Sequence, residues 1–326
     1  MAEETFHFEN AALAQQVLGA DETKLRILED KLNIRAVARD LWVKFDGEDH
    51  SVRTARELLE ILEKSAHEGQ RIRTRDFGRS LEMIMEVGSK GLRNCLEDMV
   101  STSPKKPPIR PRTAGQKQYL DLIRSHTITF GIGPAGTGKT YLAMAMAVAS
   151  LKAGDVNRLI LSRPAVEAGE ALGFLPGALE EKISPYLRPL YDALHDMLPA
   201  DELQKYHDRG VVEIAPLAYM RGRTLNNSFV ILDESQNATR EQMLMFLTRM
   251  GGDSKLVITG DPSQVDLPMH RKSGLVEAAR KLEHIDGIGV HRFQKKDVVR
   301  HYLVQKIIEA YEEPTRNGQA SMDIDP

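Results

Sequence analysis

The sequence predicts an α/β protein in which a mostly parallel sheet is flanked by helices and preceded by a smaller α/β module. Three observations carry this. Apolar, strand-like runs alternate with helix-period segments from about residue 113 to 312. A glycine-rich turn at 133–140 joins one of those runs to a helix. A stretch dense in proline and basic residues, 104–112, separates this region from what precedes it.

In chain order, Leu13–Leu18 and Glu22–Leu32 have helical apolar spacing. Ile34–Phe45 reads as two short strands around Arg39-Asp40. His50–Ser65 returns to helix, with Ala55, Leu58, Leu59 and Leu62 on one face. Helix, strands and helix at this length resemble a reduced KH-type RNA-binding domain. Its defining Gly-x-x-Gly loop is missing, because the corresponding turn reads Gly19-Ala-Asp-Glu22, and two acids there repel phosphate. RNA binding and a plain packing or assembly role both stay open for residues 1–103, a KH-like module with a helical connector. Within the connector, Arg71–Arg79 places four arginines around Phe77. That is either a single-strand contact, ring on base and guanidinium on phosphate, or a solvated lead into the next helix.

Pro104, Pro107, Pro108 and Pro111 interrupt helix and interior strand, so 104–112 is expected as an extended, solvated linker. Beyond it the strand candidates are Thr127–Ile132, Arg158–Ser162, Val211–Ala215, Phe229–Leu232, Lys255–Thr259 and Ile288–Phe293. Helices are clearest at Lys139–Ala153, Thr239–Met250 and Ser273–Leu282. Residues 313–326 are polar and without period, which predicts a disordered tail.

Composition narrows the classes of function. The 326 residues are 41% hydrophobic and 28% charged, enough for a substantial core. A net charge of −3 means that nucleic-acid contact must come from local basic patches, not a field over the whole molecule. Cys95 is the lone cysteine, so no intrachain disulfide forms. Met1–Asn10 has no apolar run of signal-peptide type, and no stretch approaches the ~20 apolar residues that span a bilayer. The expected setting is cytoplasmic, away from membranes.

The chemistry lies in Gly133-Pro134-Ala135-Gly136-Thr137-Gly138-Lys139-Thr140, which satisfies the phosphate-loop pattern G-x-x-x-x-G-K-[ST] between a strand and a helix. Glycines let successive N–H groups converge on a β-phosphate, and the helix N-terminus adds positive potential. Lys139 faces the β- and γ-phosphates, and the Thr140 hydroxyl ligates Mg²⁺. Gly131, Gly133 and Gly136 also fit a dinucleotide fingerprint. The next strand, however, ends in Arg163 where an acid should hold the ribose, and that reading leaves Gly138-Lys-Thr unexplained. Phe229–Leu232 leads into Asp233 and Glu234: a metal-holding carboxylate and a general base for the attacking water, or a pair of helix-capping acids. Gln264, at the end of a third strand, is expected to hydrogen-bond the γ-phosphate and the water. Asp261 either joins the metal shell or makes an Asx turn before Pro262.

These residues together resemble the PhoH-like proteins, a family of phosphate-starvation-inducible ATPases whose core is similar to the first motor domain of superfamily 1 helicases. The likeness rests on Gly133–Thr140, Val230–Thr239, Thr259–Pro268, Arg163–Glu170 and Leu172–Pro176. It implies a RecA-like P-loop NTPase at 113–312, ATP and Mg²⁺ as ligands, a cytoplasmic location and a part in RNA metabolism. It further implies an association with the rRNA-maturation endoribonuclease YbeY. The helicase likeness makes Gln116 the adenine-reading glutamine, against an exposed helix-start residue, with Gln118 a competitor. Arg163 falls where nucleic-acid backbone contact begins in such motors, or else makes a helix-packing ion pair.

A motor of that class needs two lobes, and only one fits here. An arginine finger is therefore expected from a neighbouring subunit of a ring or other homo-oligomer, with Arg221, Arg223 and Arg300, the last assigned to the final helix, as candidates. Two functions follow. One is an RNA-directed ATPase acting on single-stranded RNA. The other is a nucleotide-dependent assembly switch that recruits a ribonuclease without moving along RNA.

Overall fold

The computed structural model describes residues 1–164, 179–268, 270–300 and 302–312. The expected tail at 313–326 and the signature residues 165–176 fall outside them.

The N-terminal module runs β1 (Ala2–His7), α1 (Ala11–Leu18), α2 (Thr23–Leu32), β2 (Arg35–Arg39), β3 (Trp42–Gly47), α3 (Asp49–His67) and α4 (Thr74–Glu97). Its three strands are antiparallel in the order β1-β3-β2. The central β3 buries Val43 and Phe45 against α3, whose Ala55, Leu58, Leu59 and Leu62 form the anticipated apolar face. The strand β1 was not anticipated. Only Phe6 in it is buried, and the exposed Glu3 and half-buried Glu4 pair with Lys44 and Arg56.

Phe77 corrects the reading of Arg71–Arg79. Helix α4 begins at Thr74, and Phe77 is fully buried beside Leu81 and Ile84 in the module's core. The ring is therefore not available to stack on a base. Its removal would cost about 3–5 kcal/mol as a core cavity. Gly88, at φ +72, kinks α4. Segment 104–112 is also less free than a solvated linker. Ile109 makes an antiparallel bridge to Val100 and packs on the second core, Pro111 is buried, and Arg110 donates to the Leu96 carbonyl at 2.5 Å. Arg124 grips Asp98 with both terminal nitrogens, at 2.9 and 2.7 Å, and ties the second half to the end of α4.

That half comprises α5 (Ala114–Ser125), β4 (Ile128–Ile132), α6 (Lys139–Ala153), β5 (Arg158–Arg163), α7 (Leu179–Met197), α8 (Ala200–Asp208), β6 (Val212–Pro216), β7 (Ser228–Leu232), α9 (Arg240–Leu247), β8 (Lys255–Gly260), α10 (Leu275–Leu282), β9 (Ile288–Arg292) and α11 (Tyr302–Glu312). All six strands are parallel, in the order β6-β5-β7-β8-β4-β9. Each coincides with a predicted strand to within one residue at either end. Separate apolar clusters cover the two faces, and strands buried on both sides read as unbroken apolar runs. This is the expected RecA-like core, in which one strand, β8, stands between the glycine-loop strand β4 and the acid-bearing β7. Helix α6 buries Leu142, Ala143, Met144, Ala145, Ala147 and Val148, so it is fixed as a rigid axis behind its own first turn.

Candidate functional site

The carboxyl ends of β4, β5, β7 and β8 meet at one edge of the sheet, where parallel α/β folds place their ligands. Leaving β4, the chain passes through Gly133 at φ +148, Gly136 at φ +84 and Gly138 at φ +82. A side chain at Gly133 would lie 2.7 Å from the Phe293 carbonyl oxygen, so the close approach of backbone to backbone requires glycine there. Gly138 is the N-cap of α6 and offers no capping side chain. The first-turn N–H groups of α6 are thus left for an anion.

The loop is braced from two sides. The Asp261 carboxylate accepts from Ala135 N at 2.9 Å, while its other oxygen accepts from Ser263 N and Oγ in an Asx turn. Opposite, Gln116 donates through Nε2 to the Thr137 carbonyl at 2.9 Å and accepts from Arg112 N at 2.7 Å. Gln116 is 4% exposed, not an exposed helix-start residue, whereas Gln118 faces solvent. Each end of the Gln116 amide still has one free hydrogen-bonding position. Val299 N donates to Gly136 O at 2.8 Å and closes the brace from the C-terminal side.

Lys139 folds back over the loop and donates to the carbonyls of Gly133 and Pro134 at 2.7 and 2.8 Å. Burial lowers its pKa, against the opposing pull of Asp261, Asp233 and Glu234. The Thr140 hydroxyl donates to Asp233 Oδ1 at 2.6 Å, and Thr259 on β8 donates to the same oxygen at 2.7 Å. The sequence therefore anticipated the pairing of Thr140 with Asp233 but not the third member, Thr259. An all-oxygen set of one hydroxyl and one carboxylate, completed by water and phosphate, suits a small hard cation such as Mg²⁺.

Glu234 follows in a left-handed conformation, φ +50 and ψ +37, uncommon for a residue with a side chain. Both carboxylate oxygens are engaged: Arg163 donates to Oε1 at 2.7 Å and Gln236 to Oε2 at 2.5 Å. The acids thus do not serve as a helix-capping pair; the following helix α9 is capped by Thr239. Arg163, at the end of β5, pairs with Glu234. Gln236 also accepts from Asp261 N at 3.0 Å, so one buried amide connects Glu234 to the loop that braces Ala135. Gln236 stood in plain view beside the acids in the sequence, but only the tertiary contact shows what it joins.

Gln264 is not brought into this cluster. Its N–H bonds to the Asp261 carbonyl, while its side chain is exposed and makes no hydrogen bond among the described residues. Arg223 is spent on Glu213 of β6, at 2.5 and 2.8 Å, and Arg221 is exposed beside it. Arg300 differs from the expectation in two ways. It precedes α11 instead of lying on it, and it lies against its own chain's loop. A side chain added at Gly136 would sit 2.5 Å from Arg300 Nε.

Beyond Gly136 and Gly138 opens a cavity of about 630 Å³, bounded by Gln116, Tyr141, the 107–112 strap and the α4 residues Asp76, Arg79 and Met83. No helix among the described residues is long and apolar enough to cross a membrane.

Known proteins resemble this chain over most of its length. The profile of the family described as PhoH-like protein matches residues 108–312, and that of the IstB-like ATP binding proteins matches 45–163. A PhoH-like protein of Bacillus subtilis (strain 168) is 48% identical over 299 residues, covering 92% of this chain and 94% of that one. A PhoH-like protein of Mycobacterium tuberculosis (strain ATCC 25618 / H37Rv) is 50% identical over 302 residues, 91% of this chain and 85% of that one. Protein PhoH of Escherichia coli (strain K12) is 41% identical over 257 residues, 76% of this chain and 72% of that one.

Proposed function

This chain belongs to the PhoH-like protein family of ATP-binding P-loop proteins, and on that premise we propose that it hydrolyses ATP with Mg²⁺ in RNA metabolism, in the cytoplasm, as a homo-oligomer. The observation that carries the reading is the meeting of Thr140 and Asp233 at 2.6 Å, at the uncapped head of α6, with Glu234 next in the chain.

The residues divide the work. Lys139 exchanges the Gly133 and Pro134 carbonyls for the β- and γ-phosphates. Gly133, Pro134, Ala135, Gly136, Thr137 and Gly138 wrap the phosphates with backbone N–H groups, and Ala135 N is freed as Asp261 yields to phosphate. Thr140 and Asp233 hold Mg²⁺, which when bound neutralises charge on the phosphates. Glu234 orients the attacking water and takes its proton at Oε1 once Arg163 withdraws. Gln264 swings in from the surface to contact the γ-phosphate, and the free positions of Gln116 meet the adenine N6/N7 edge.

Single-stranded RNA is proposed as the activating ligand. The N-terminal order β1-α1-α2-β2-β3-α3 supports a KH-like reading of the module. Its α1–α2 turn nevertheless keeps the acids Asp21 and Glu22, and Lys24, the nearby cation, is turned inward to the Val17 and Ile72 carbonyls at 2.7 and 2.9 Å.

The test is steady-state ATP hydrolysis with and without single-stranded RNA, with Glu234→Gln alongside. Stimulation by RNA that vanishes in the variant is expected. A second reading, the assembly switch recruiting a YbeY-type endoribonuclease, is favoured by one observation: both oxygens of Glu234 are occupied in the resting site. Slow turnover indifferent to RNA would support it.

A further inference from the structure

The cavity beside the loop is lined by the N-terminal module as well as by the ATPase core. It opens directly off Gly136 and Gly138, so whatever is attached to a phosphate seated on the loop must either enter it or project into solvent. At about 630 Å³ it falls in the ordinary range for small-molecule sites, roughly 300–1,000 Å³. Tyr141 presents an aromatic ring from the first turn of α6, and Gln116 an amide with spare capacity.

The wall opposite is α4, and there one side chain is unsatisfied. Arg79 Nη1 is buried without a hydrogen-bond partner. Arg79 makes no ion pair among the described residues, and its nearest charged neighbours include Arg75 and Arg112 as well as Asp76 and Glu82. A guanidinium only donates, and a buried donor without an acceptor is costly. Nothing in the fold repays that cost. A ligand bringing an acceptor into the cavity would, once the guanidinium turns Nη1 toward it.

We propose that the base and ribose of ATP occupy this cavity and that Arg79 of α4 donates to an acceptor of the adenosine half, which makes the N-terminal module part of the nucleotide site. Adenine offers ring nitrogens as acceptors and a flat face to Tyr141 or to the guanidinium plane; the ribose offers hydroxyl oxygens. A triphosphate without a nucleoside offers neither. The proposal rests on the phosphate-loop reading above and adds to it that α4 registers whether the loop holds a nucleoside or phosphate alone. The bound nucleotide thereby bridges α4 and α6.

The test uses the full chain with Mg²⁺ and compares ATP with inorganic tripolyphosphate in equilibrium binding, for the wild type, Arg79→Ala and Lys139→Ala. Arg79→Ala is expected to weaken ATP about tenfold, the usual scale for losing one charge-assisted hydrogen bond, and to leave tripolyphosphate unchanged. Equal weakening of both ligands, or of neither, overturns the proposal. Hydrogen exchange on the wild type gives an independent reading that no folding defect can mask: ATP should slow exchange in α4, and tripolyphosphate should not. Equal protection by both ligands overturns the proposal while leaving the loop assignment standing. Wild-type protein that binds neither ligand, or a Lys139→Ala variant that binds both as well as wild type, overturns the loop assignment and this inference with it.

Discussion

Glu234 enters the site already occupied, with Arg163 on one oxygen and Gln236 on the other. In the proposed role of base, Glu234 shares Oε1 with Arg163, which competes with water for that oxygen. The side chains of the pair are 20% and 32% exposed, and a partly exposed ion pair contributes on the order of 1 kcal/mol. Arg163→Ala should therefore raise RNA-free ATP turnover several-fold and shrink the ratio of stimulated to basal rate. A fall in both rates would make Arg163 a group that positions Glu234 instead of restraining it. Lys139→Ala removes the cation proposed to face the phosphates and should abolish ATP binding in a titration, with the fold retained in circular dichroism. His291 supplies a pH dependence. It is 8% exposed, its Nε2 lacks a partner, and it packs between Tyr119 and Phe293. Burial lowers its pKa below the ordinary 6.5, so as pH falls through that value the unfolded chain binds the proton first and the native state loses stability. Melting temperature should drop from pH 7.5 to 5.5, and His291→Gln should remove part of that drop. At this scale the placing of Lys139 and Thr140 at the head of α6 was legible because the phosphate loop is a local pattern, and that of Asp233 because an apolar strand runs into it. The contacts of Arg163 with Glu234 and of Gln236 and Ala135 with Asp261 were not, since they are made only across strands.

Among the elements, the glycine loop is the most constrained, and its glycines are not equivalent. At Gly133 an added side chain meets the backbone of Phe293 at 2.7 Å, and strands β4 and β9 would have to part. At Gly136 the obstacle is the flexible end of Arg300, leaving mainly the left-handed backbone cost of about 1–2 kcal/mol. Gly133→Ala should thus lower the melting temperature more than Gly136→Ala, a comparison thermal melts make directly; the reverse order would mean that Arg300 cannot move aside. The core strands were readable because burial on both faces leaves an uninterrupted apolar run. Elements carrying charge at their edges were not. β1 buries only Phe6 in a strand with two glutamates, and α4 hides Phe77 close to the exposed Arg73 and Arg75. The proline-rich strap read as solvated because neither its composition nor its spacing reveals the bridge from Ile109 to Val100.

For the molecule as a whole, the described residues hold one six-stranded parallel sheet, and under the proposed ATPase reading the question is which arginine neutralises the transition state, and from which subunit. A finger in trans was the expectation, and Arg223 is now a poor candidate because Glu213 holds both its terminal nitrogens. Arg300 already lies over Gly136 of its own chain, brought there by the Val299 N–H bond to the Gly136 carbonyl. It therefore acts in cis if it acts on phosphate at all, and subunit mixing separates the cases. Arg300→Ala subunits keep Glu234 but lack the arginine, whereas Glu234→Gln subunits keep the arginine but lack the base. If Arg300 serves its own site, each mixed oligomer contains only sites lacking one group or the other, and activity stays at the level of the separate variants. If it reaches a neighbour's site, some sites regain both groups and turnover rises on mixing. No recovery is expected for Arg300→Ala. Recovery in a parallel mixture of Arg221→Ala with Glu234→Gln, once co-purification has shown that mixed oligomers form, would identify the exposed Arg221 as the residue that completes a neighbour's site. An arginine in cis then removes the reason for expecting a ring to supply the finger, and the proposed oligomer has to be argued from the need for Arg221.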